Sequence, residues 1–398
     1  MAGVGDVNGD GLADLGIGVW GLADDSYIPL ATESYVVFGR TGATDIDLGN
    51  LGSQGFVIQA RASAGRSNAR IAAAGDLNGD GLADLLVGTG QSNGGRGTSY
   101  LVFGQSHSGA VKLEEVASGM GGFAIDGEAA NDYSGASVNA AGDVDGDGLA
   151  DLIIGAPDAG LEAGKTHVIF GSAVKQLYDT AVDELGGSGD DALSDGGIAK
   201  TLVGGAGNDS LTATAASVLY GGAGDDLFVI GQAMRDALQS PMGSVFNVDR
   251  LARIDGGSGT DTLALSGSGL VLDLTEVANP AAGAPHGGSR LSSIEIVDLT
   301  GSGNNTLKLT ARDVIDLTDF NAILTSGPAD NRHQLLVDGN VGDRVVLMES
   351  GWNHAGQHTV YGQSYEVWNH DQTLAALYLA GPVIPYDSLT GNPLLMLA

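Results

Sequence analysis

Asp6, Asn8 and Asp10 stand at alternate positions in GDVNGDGLAD, and the pattern returns at Asp76, Asn78, Asp80 and at Asp143, Asp145, Asp147. A glycine follows each set (Gly11, Gly81, Gly148), and an aspartate comes three residues later (Asp14, Asp84, Asp151). Alternating oxygens followed by a sharp turn that only glycine permits is how a loop curls around a hard cation such as Ca2+. In this reading the closing aspartate completes the side-chain set. The backbone carbonyls of Leu12, Leu82 and Leu149 add one ligand each.

An EF-hand loop starts the same way but ends on a bidentate glutamate at its twelfth position. Here that position holds Ile17, Val87 and Ile154. The residues after the closing aspartate (LGIG, LLVG, LIIG) form a strand-like apolar run, not an amphipathic helix. The spacing therefore predicts a cation loop between two strands.

A second acidic pattern follows with a shorter period. GGSGDDALS, GGAGNDSLT, GGAGDDLFV and GGSGTDTLA begin at 186, 204, 221 and 256, so the steps are 18, 17 and 35 residues. Two nine-residue units make one turn of a parallel coil, and a step near 18 stacks the aspartates of successive turns. Asp191, Asp209, Asp226 and Asp261 would contribute carboxylates, and Leu193, Leu211, Phe228 and Leu263 would fill the core. The segment 230–253, with helix-like GQAMRDALQ, interrupts the array. Two or three Ca2+ sites are expected here.

The elements that hold these residues are predominantly strands. Up to about residue 172 each loop is followed by an apolar strand, a Gly-rich connection and a strand ending in Phe-Gly: Phe38-Gly39, Phe103-Gly104, Phe170-Gly171. Four short strands per repeat, at steps of 70 and 67 residues, are the pattern of propeller blades. Beyond about 265, runs such as LVLDL, IEIVDL, NTLKLT, HQLLVDG and AALYLAG alternate with turns. They predict an antiparallel sheet, with continuation of the coil as the alternative.

The loops, the Phe-Gly ends and Gly155-Ala156-Pro157 resemble the FG-GAP repeat of integrin α-chain propellers and their bacterial relatives. The nine-residue motifs resemble the RTX (hemolysin-type) calcium-binding repeat of proteins exported by bacterial type I secretion. The resemblance implies an all-β chain: a partial FG-GAP β-propeller of three blades over 1–175, a short RTX parallel β-roll over 176–265, and a β-rich domain over 266–398. The ending NPLLMLA is compatible with an uncleaved secretion signal. Copy one lacks the strand that leads into copies two and three, so the chain is expected to begin within a repeat. Three blades do not close a ring. The remainder would lie upstream, come from another chain, or be absent from an open arc.

Composition narrows the function. The net charge is −32, which makes the chain a poor candidate for binding nucleic acid or an anionic membrane surface, and neither nucleic acid nor membrane insertion is expected. Cysteine is absent, so disulfides and thiolate metal sites are excluded. The start MAGVGDVNGDG has no signal-peptide pattern, and no apolar run is long enough to span a bilayer.

Three enzyme motifs match only in form. Gly16 to Gly21 fits a dinucleotide fingerprint but runs along a strand, and AGLEAGKT (159–166) fits a phosphate loop but puts Lys165 at a strand start. GQSNG (90–94) fits a nucleophile elbow around Ser92, without the strand, turn and helix that motif requires. His354 and His358 read as surface histidines on a strand, and Trp352 and Trp368 as packing residues rather than sugar platforms. The chain is thus expected to be a non-enzymatic, Ca2+-binding extracellular adhesion or binding module of a type I-secreted bacterial RTX protein. Its partner would be an extracellular protein or glycan, besides the secretion machinery. The alternative is the C-terminal secretion and stabilising region of an RTX hydrolase or toxin whose catalytic domain is not in this sequence.

Overall fold

The computed structural model describes residues 1–18, 20–21, 32–40, 45–60, 67–171, 182–242, 244–247, 250–277, 289–318, 320, 322–323 and 331–394. The last four residues of NPLLMLA, and Val19 of the first Gly-rich stretch, lie outside them. The chain divides into two compact units. One comprises Met1–Asp145, Leu149–Ala181 and Gly283–Ser289; the other comprises Gly146–Gly148, Val182–Ala282 and Arg290–Ala398.

In the first unit each sequence repeat builds an antiparallel sheet, and the first repeat's sheet also takes Val111–Lys112 in parallel along Gly55–Ala60. The second repeat is the most complete: Arg70–Gly75, Asp84–Thr89, Thr98–Val102 and Gly122–Asp126 lie side by side in chain order. The first repeat follows the same plan with Ala2–Gly3, Leu15–Ile17, Thr32–Val37 and Gly55–Ala60. The third has Ser137–Gly142, Asp151–Ala156 and Lys165–Ile169. Asp84–Thr89 is buried throughout because both faces of its sheet are covered. Leu85 and Val87 pack with Val36, Phe56 and Ile58 of the first repeat. Leu86 and Leu101 pack with Leu152 and Ile154 of the third. That two-sided burial is why LLVG reads as a continuous apolar run instead of an alternating one. The strand before each of the last two loops ends in a bulge at Gly75 or Gly142, both at positive φ (80° and 75°), which turns the chain into the acidic loop.

The second unit is a coil of parallel strands. Val182–Leu185, Thr201–Ala206, Val218–Ala223, Arg253–Ser258 and Leu291–Ser292 form one sheet. Ala192–Ser194, Ser210–Ala213, Leu227–Ile230, Thr262–Leu265, Ile296–Asp298, His333–Asp338 and Ala375–Ala380 form a second. Register aligns Leu193, Leu211, Phe228, Leu263, Val297, Val337 and Leu379 in one apolar column down this sheet. From the fourth turn a third parallel sheet joins: Val271–Asp273, Thr306–Leu309, Arg344–Leu347 and Ile384–Asp387. The helix Gln232–Leu238 fills the interruption and buries Met234, Ala237 and Leu238. The buried Arg290 guanidinium donates to the carbonyls of Ala237, Ser240 and Ala252, closing that helix end.

The C-terminal part departs from the antiparallel sheet expected of it. Among the described strands beyond 265, Trp352–Val360, Gln363–His370 and Ala375–Ala380 pair antiparallel, with isolated antiparallel bridges at Phe320–His333 and Tyr386–Pro393; the remaining pairings are parallel, turn on turn. Runs alternating with turns describe a hairpin and the corner of a coil equally well. What separates them is the polar residue at the corner, described next.

Candidate metal centres

The first two acidic loops have nearly the same internal wiring. Asp6 Oδ1 accepts the N–H groups of Gly9 and Asp10 (2.7 and 3.1 Å), and Oδ2 accepts that of Gly11 at 2.9 Å. Asp76 does the same for Gly79, Asp80 and Gly81 at 2.8, 3.0 and 2.6 Å. The side-chain oxygens of Asn8 and Asn78 accept from the N–H groups of Asp10 and Asp80, and the carboxylates of Asp10 and Asp80 accept from the N–H groups of Leu12 and Leu82. Each side chain thus caps the N–H two to five residues on, a local bond that Asp and Asn form readily. The glycines hold the turn: Gly9 and Gly11 have φ of 76° and 88°, Gly79 and Gly81 the same values.

The closing aspartates reach further than expected. Asp14 accepts from Val7 and from Gly39 of the first Phe-Gly (2.8 and 2.7 Å). Asp84 accepts from Leu77, Asn78 and Gly104 (2.8, 3.3 and 2.9 Å), and Asp151 from Val144 and Gly171 (2.7 and 2.9 Å). One oxygen holds the loop and the other holds the Phe-Gly strand end. The glycine is required: a Cβ on Gly104 would come within 2.6 Å of Leu82 Cβ, and on Gly39 within 2.5 Å of Leu12 Cβ. Burial pushes the Asp14 carboxyl up to about 7, against the two N–H groups that lower it. Burial first, then Asp80 and Asp76, pushes that of Asp84 well above the carboxylate range.

In the third loop Asp143, Asp145 and Asp151 bring ligand oxygens within 4.8 Å of one another, and among the described residues they are the acidic or histidine group gathered this closely. Asp147, expected to belong with them, is not in that group. Asp143 and Asp145 are exposed, so this cluster is open to ions from solvent.

In the coil, Asp191, Asp209, Asp226 and Asp261 form a ladder. The N–H of each donates to the carboxylate of the next: Asp191 to Asp209 Oδ1, Asp209 to Asp226 Oδ1, Asp226 to Asp261 Oδ1, at 2.7, 2.7 and 2.8 Å. Glu295 takes the next rung, accepting from Asp261 N–H at 2.9 Å. The second oxygens of Asp209, Asp226 and Asp261 are buried and find no hydrogen-bond partner among the described residues. They lie against the first glycine of their own motif, where a Cβ would come within 2.3 Å at Gly204, 2.2 Å at Gly221 and 2.4 Å at Gly256. Burial is the main cause that raises all three carboxyls, Asp226 to about 7 and Asp261 to about 8.

Buried unpartnered carboxylate oxygens are costly, and three in successive turns repel one another. At the strand spacing of ~4.8 Å and an effective dielectric near 20, each ionised neighbouring pair costs about 3–4 kcal/mol. A hard divalent cation suits this all-oxygen donor set, so the residues fit Ca2+. Gly221→Ala should therefore disturb the cradle without removing a ligand. We expect weaker Ca2+ binding by calorimetry and a lower melting point, with Asp226 still present.

Glu295 escaped the sequence reading because no glycine signature precedes it. A second ladder was missed for the same reason: Asn305 Oδ1 accepts from Leu270 N–H at 2.8 Å, and Asp343 Oδ1 from Asn305 N–H at 2.7 Å. The signal available was a polar residue immediately before two strands of the third sheet, Asn305 before Thr306–Leu309 and Asp343 before Arg344–Leu347. The enzyme-like motifs stay dispersed. Lys165 opens the strand Lys165–Ile169, and Ser92 opens a four-residue helical turn whose Asn93 and Gly94 have non-helical angles. His354 is half-buried on the strand Trp352–Val360, bonded to Glu366 at 2.7 Å and beside the Trp368 ring. Trp352 and Trp368 are buried in the core.

The FG-GAP repeat family model matches residues 68–102 and 134–169. Two FG-GAP repeats are present. They contain the second and third acidic loops, each with its preceding and following strands. No curated protein matches the chain.

Proposed function

We propose that the chain is a Ca2+-dependent extracellular binding or adhesion module of a type I-secreted, RTX-like bacterial protein. In this reading the first unit is part of an integrin-like β-propeller, and the parallel coil of the second is an RTX-type β-roll. The observation that carries the proposal is the run of buried, unpartnered oxygens on Asp209, Asp226 and Asp261. Such a column is a liability in a chain folded without cations and a scaffold once divalent ions neutralise it. Low Ca2+ inside the cell would then leave the coil loose for export, and high Ca2+ outside would fold it. The two FG-GAP repeats and the open Asp143, Asp145, Asp151 cluster support a binding role for the first unit. The ligand would be an extracellular protein or glycan.

Calorimetric titration with Ca2+, followed in parallel by circular dichroism, tests the reading. Saturable binding with a gain of β signal and a higher melting point is expected. A chelator-treated chain with the spectrum and melting point of the loaded one would remove its basis. Asp145→Ala changes an exposed side chain, so it should lower the number of bound ions by one and leave the fold intact.

A further inference from the structure

Gly90 and Gln91 follow the strand Asp84–Thr89, and Pro157 and Asp158 follow its counterpart Asp151–Ala156 in the next repeat. With Tyr133 and Ala136 they line a cavity of 210 Å3 where the second repeat meets the third. Ala136 and Pro157 give it apolar surface. Its polar groups are the Gln91 amide, the Tyr133 hydroxyl and the Asp158 carboxylate. Gln91 and Asp158 each stand just before a short helical turn, yet neither side chain caps it. An aspartate in that place ordinarily spends its oxygens on the first N–H groups of the turn. Among the described residues none of the three polar groups has a hydrogen-bond or ion-pair partner. Gln91 and Asp158 are exposed and Tyr133 is half-buried.

The backbone that presents Tyr133 is held from several sides. Tyr133 N–H donates to the Gly95 carbonyl at 2.8 Å, Ser134 N–H to that of Arg96 at 3.2 Å and Gly135 N–H to that of Gly155 at 3.0 Å. Gly90 packs so closely that a Cβ there would stand 3.0 Å from the Tyr133 carbonyl oxygen. Within this frame Asn131 and Tyr133 both take positive φ, 67° and 54°. Left-handed backbone is unfavourable for a bulky side chain and persists where the surroundings over-determine it, which happens most often at ligand sites.

We propose that this cavity binds one neutral sugar residue of a glycan. The inference rests on the reading of the first unit as a binding module and names its ligand class. A sugar ring carries hydroxyls that both donate and accept, and an apolar C–H face. Gln91 donates and accepts, Asp158 accepts, and the tyrosine offers an aromatic ring with a hydroxyl at its tip. The volume lies below the range of about 300–1,000 Å3 typical of pockets for drug-sized molecules, so it admits one ring and leaves the rest of a chain in solvent. Asp158 and the net charge of −32 act against an anionic ligand. A cationic side chain would pair with Asp158 but leave the Gln91 amide unused.

Saturation-transfer NMR and calorimetry on the Ca2+-loaded full chain test this, with the methyl glycosides of glucose, galactose, mannose and N-acetylglucosamine as probes. At least one should bind saturably with a Kd of about 1 mM, the strength expected of a small ligand in an open site. Tyr133→Asn removes the ring and keeps a residue that tolerates positive φ, and Asp158→Asn removes the charge from an exposed side chain. Each should weaken that sugar tenfold or more, with the melting point and Ca2+ stoichiometry of wild type. A folded, Ca2+-loaded chain that takes up none of the four sugars would overturn the proposal and leave the Ca2+-dependent module standing. Sugar binding indifferent to both substitutions would overturn it too. An arginine-containing tetrapeptide that binds in place of the sugars, and is lost in Asp158→Asn, would assign the cavity to a protein ligand instead.

Discussion

Asp226→Ala should lie below Asp226→Asn both in chelator and in Ca2+, and neither should gain the full Ca2+ increment of wild type. Alanine removes the acceptor of the Asp209 N–H, now 2.7 Å from Asp226 Oδ1, and strands a buried donor. That costs about 1–3 kcal/mol with or without metal. Asparagine keeps an oxygen for the N–H and removes the charge from a site where burial already disfavours it. The precedent lies in the same coil, where the uncharged Asn305 accepts from Leu270 N–H at 2.8 Å. In chelator the asparagine variant should melt no lower than wild type and the alanine variant well below it. With Ca2+ at about 100 times its Kd, wild type gains about 2.7 kcal/mol per site, and both variants should lack that increment at the sites touching Asp226. Denaturant titrations with Ca2+ and with chelator measure the four differences. An asparagine variant with the full Ca2+ increment would show that the ladder is structural alone.

The parallel coil could be read from the sequence where its period coincides with a turn of structure. Steps of 18 and 17 residues between Asp191, Asp209 and Asp226 set one aspartate above another, and Leu193, Leu211 and Phe228 followed into the core column. The reading faltered where the turn lengthens. Leu307 pairs with Val345, 38 residues away, and no repeated motif marks that step. The rung is still filled, by Asn305 and Asp343, because the N–H groups of Leu270 and Asn305 at the strand entries need an acceptor that a side chain of the next turn supplies. The loops show a different limit. Alternation of Asp and Asn gave the local turn, since those bonds span only two to five residues. The partner of each closing aspartate was hidden, because Gly39, Gly104 and Gly171 lie 25, 20 and 20 residues downstream. A glycine after phenylalanine reads as a turn until the carboxylate that needs its N–H is seen.

That long-range bond sets the other large effect. Asp84→Ala should cost about 3–5 kcal/mol, among the largest single-residue losses in the first unit. Its carboxylate is wholly buried and accepts from Leu77, Asn78 and Gly104, so alanine leaves three N–H groups stranded where water does not reach. Because those bonds are to backbone, the loss should be nearly the same in chelator and in Ca2+, unlike that of Asp226. Chemical denaturation under both conditions checks this. A loss confined to the Ca2+-loaded protein would mean that Asp84 acts first as a metal ligand. Gly104→Ala attacks the same junction from the other side, since its Cβ would press on Leu82 Cβ and the Ala83 carbonyl at 2.6 and 2.8 Å. If the two residues form one stitch between loop and strand end, the double variant should lose less than the sum of the singles. Full additivity would place the glycine's role in packing on Leu82 and leave the carboxylate to the loop alone.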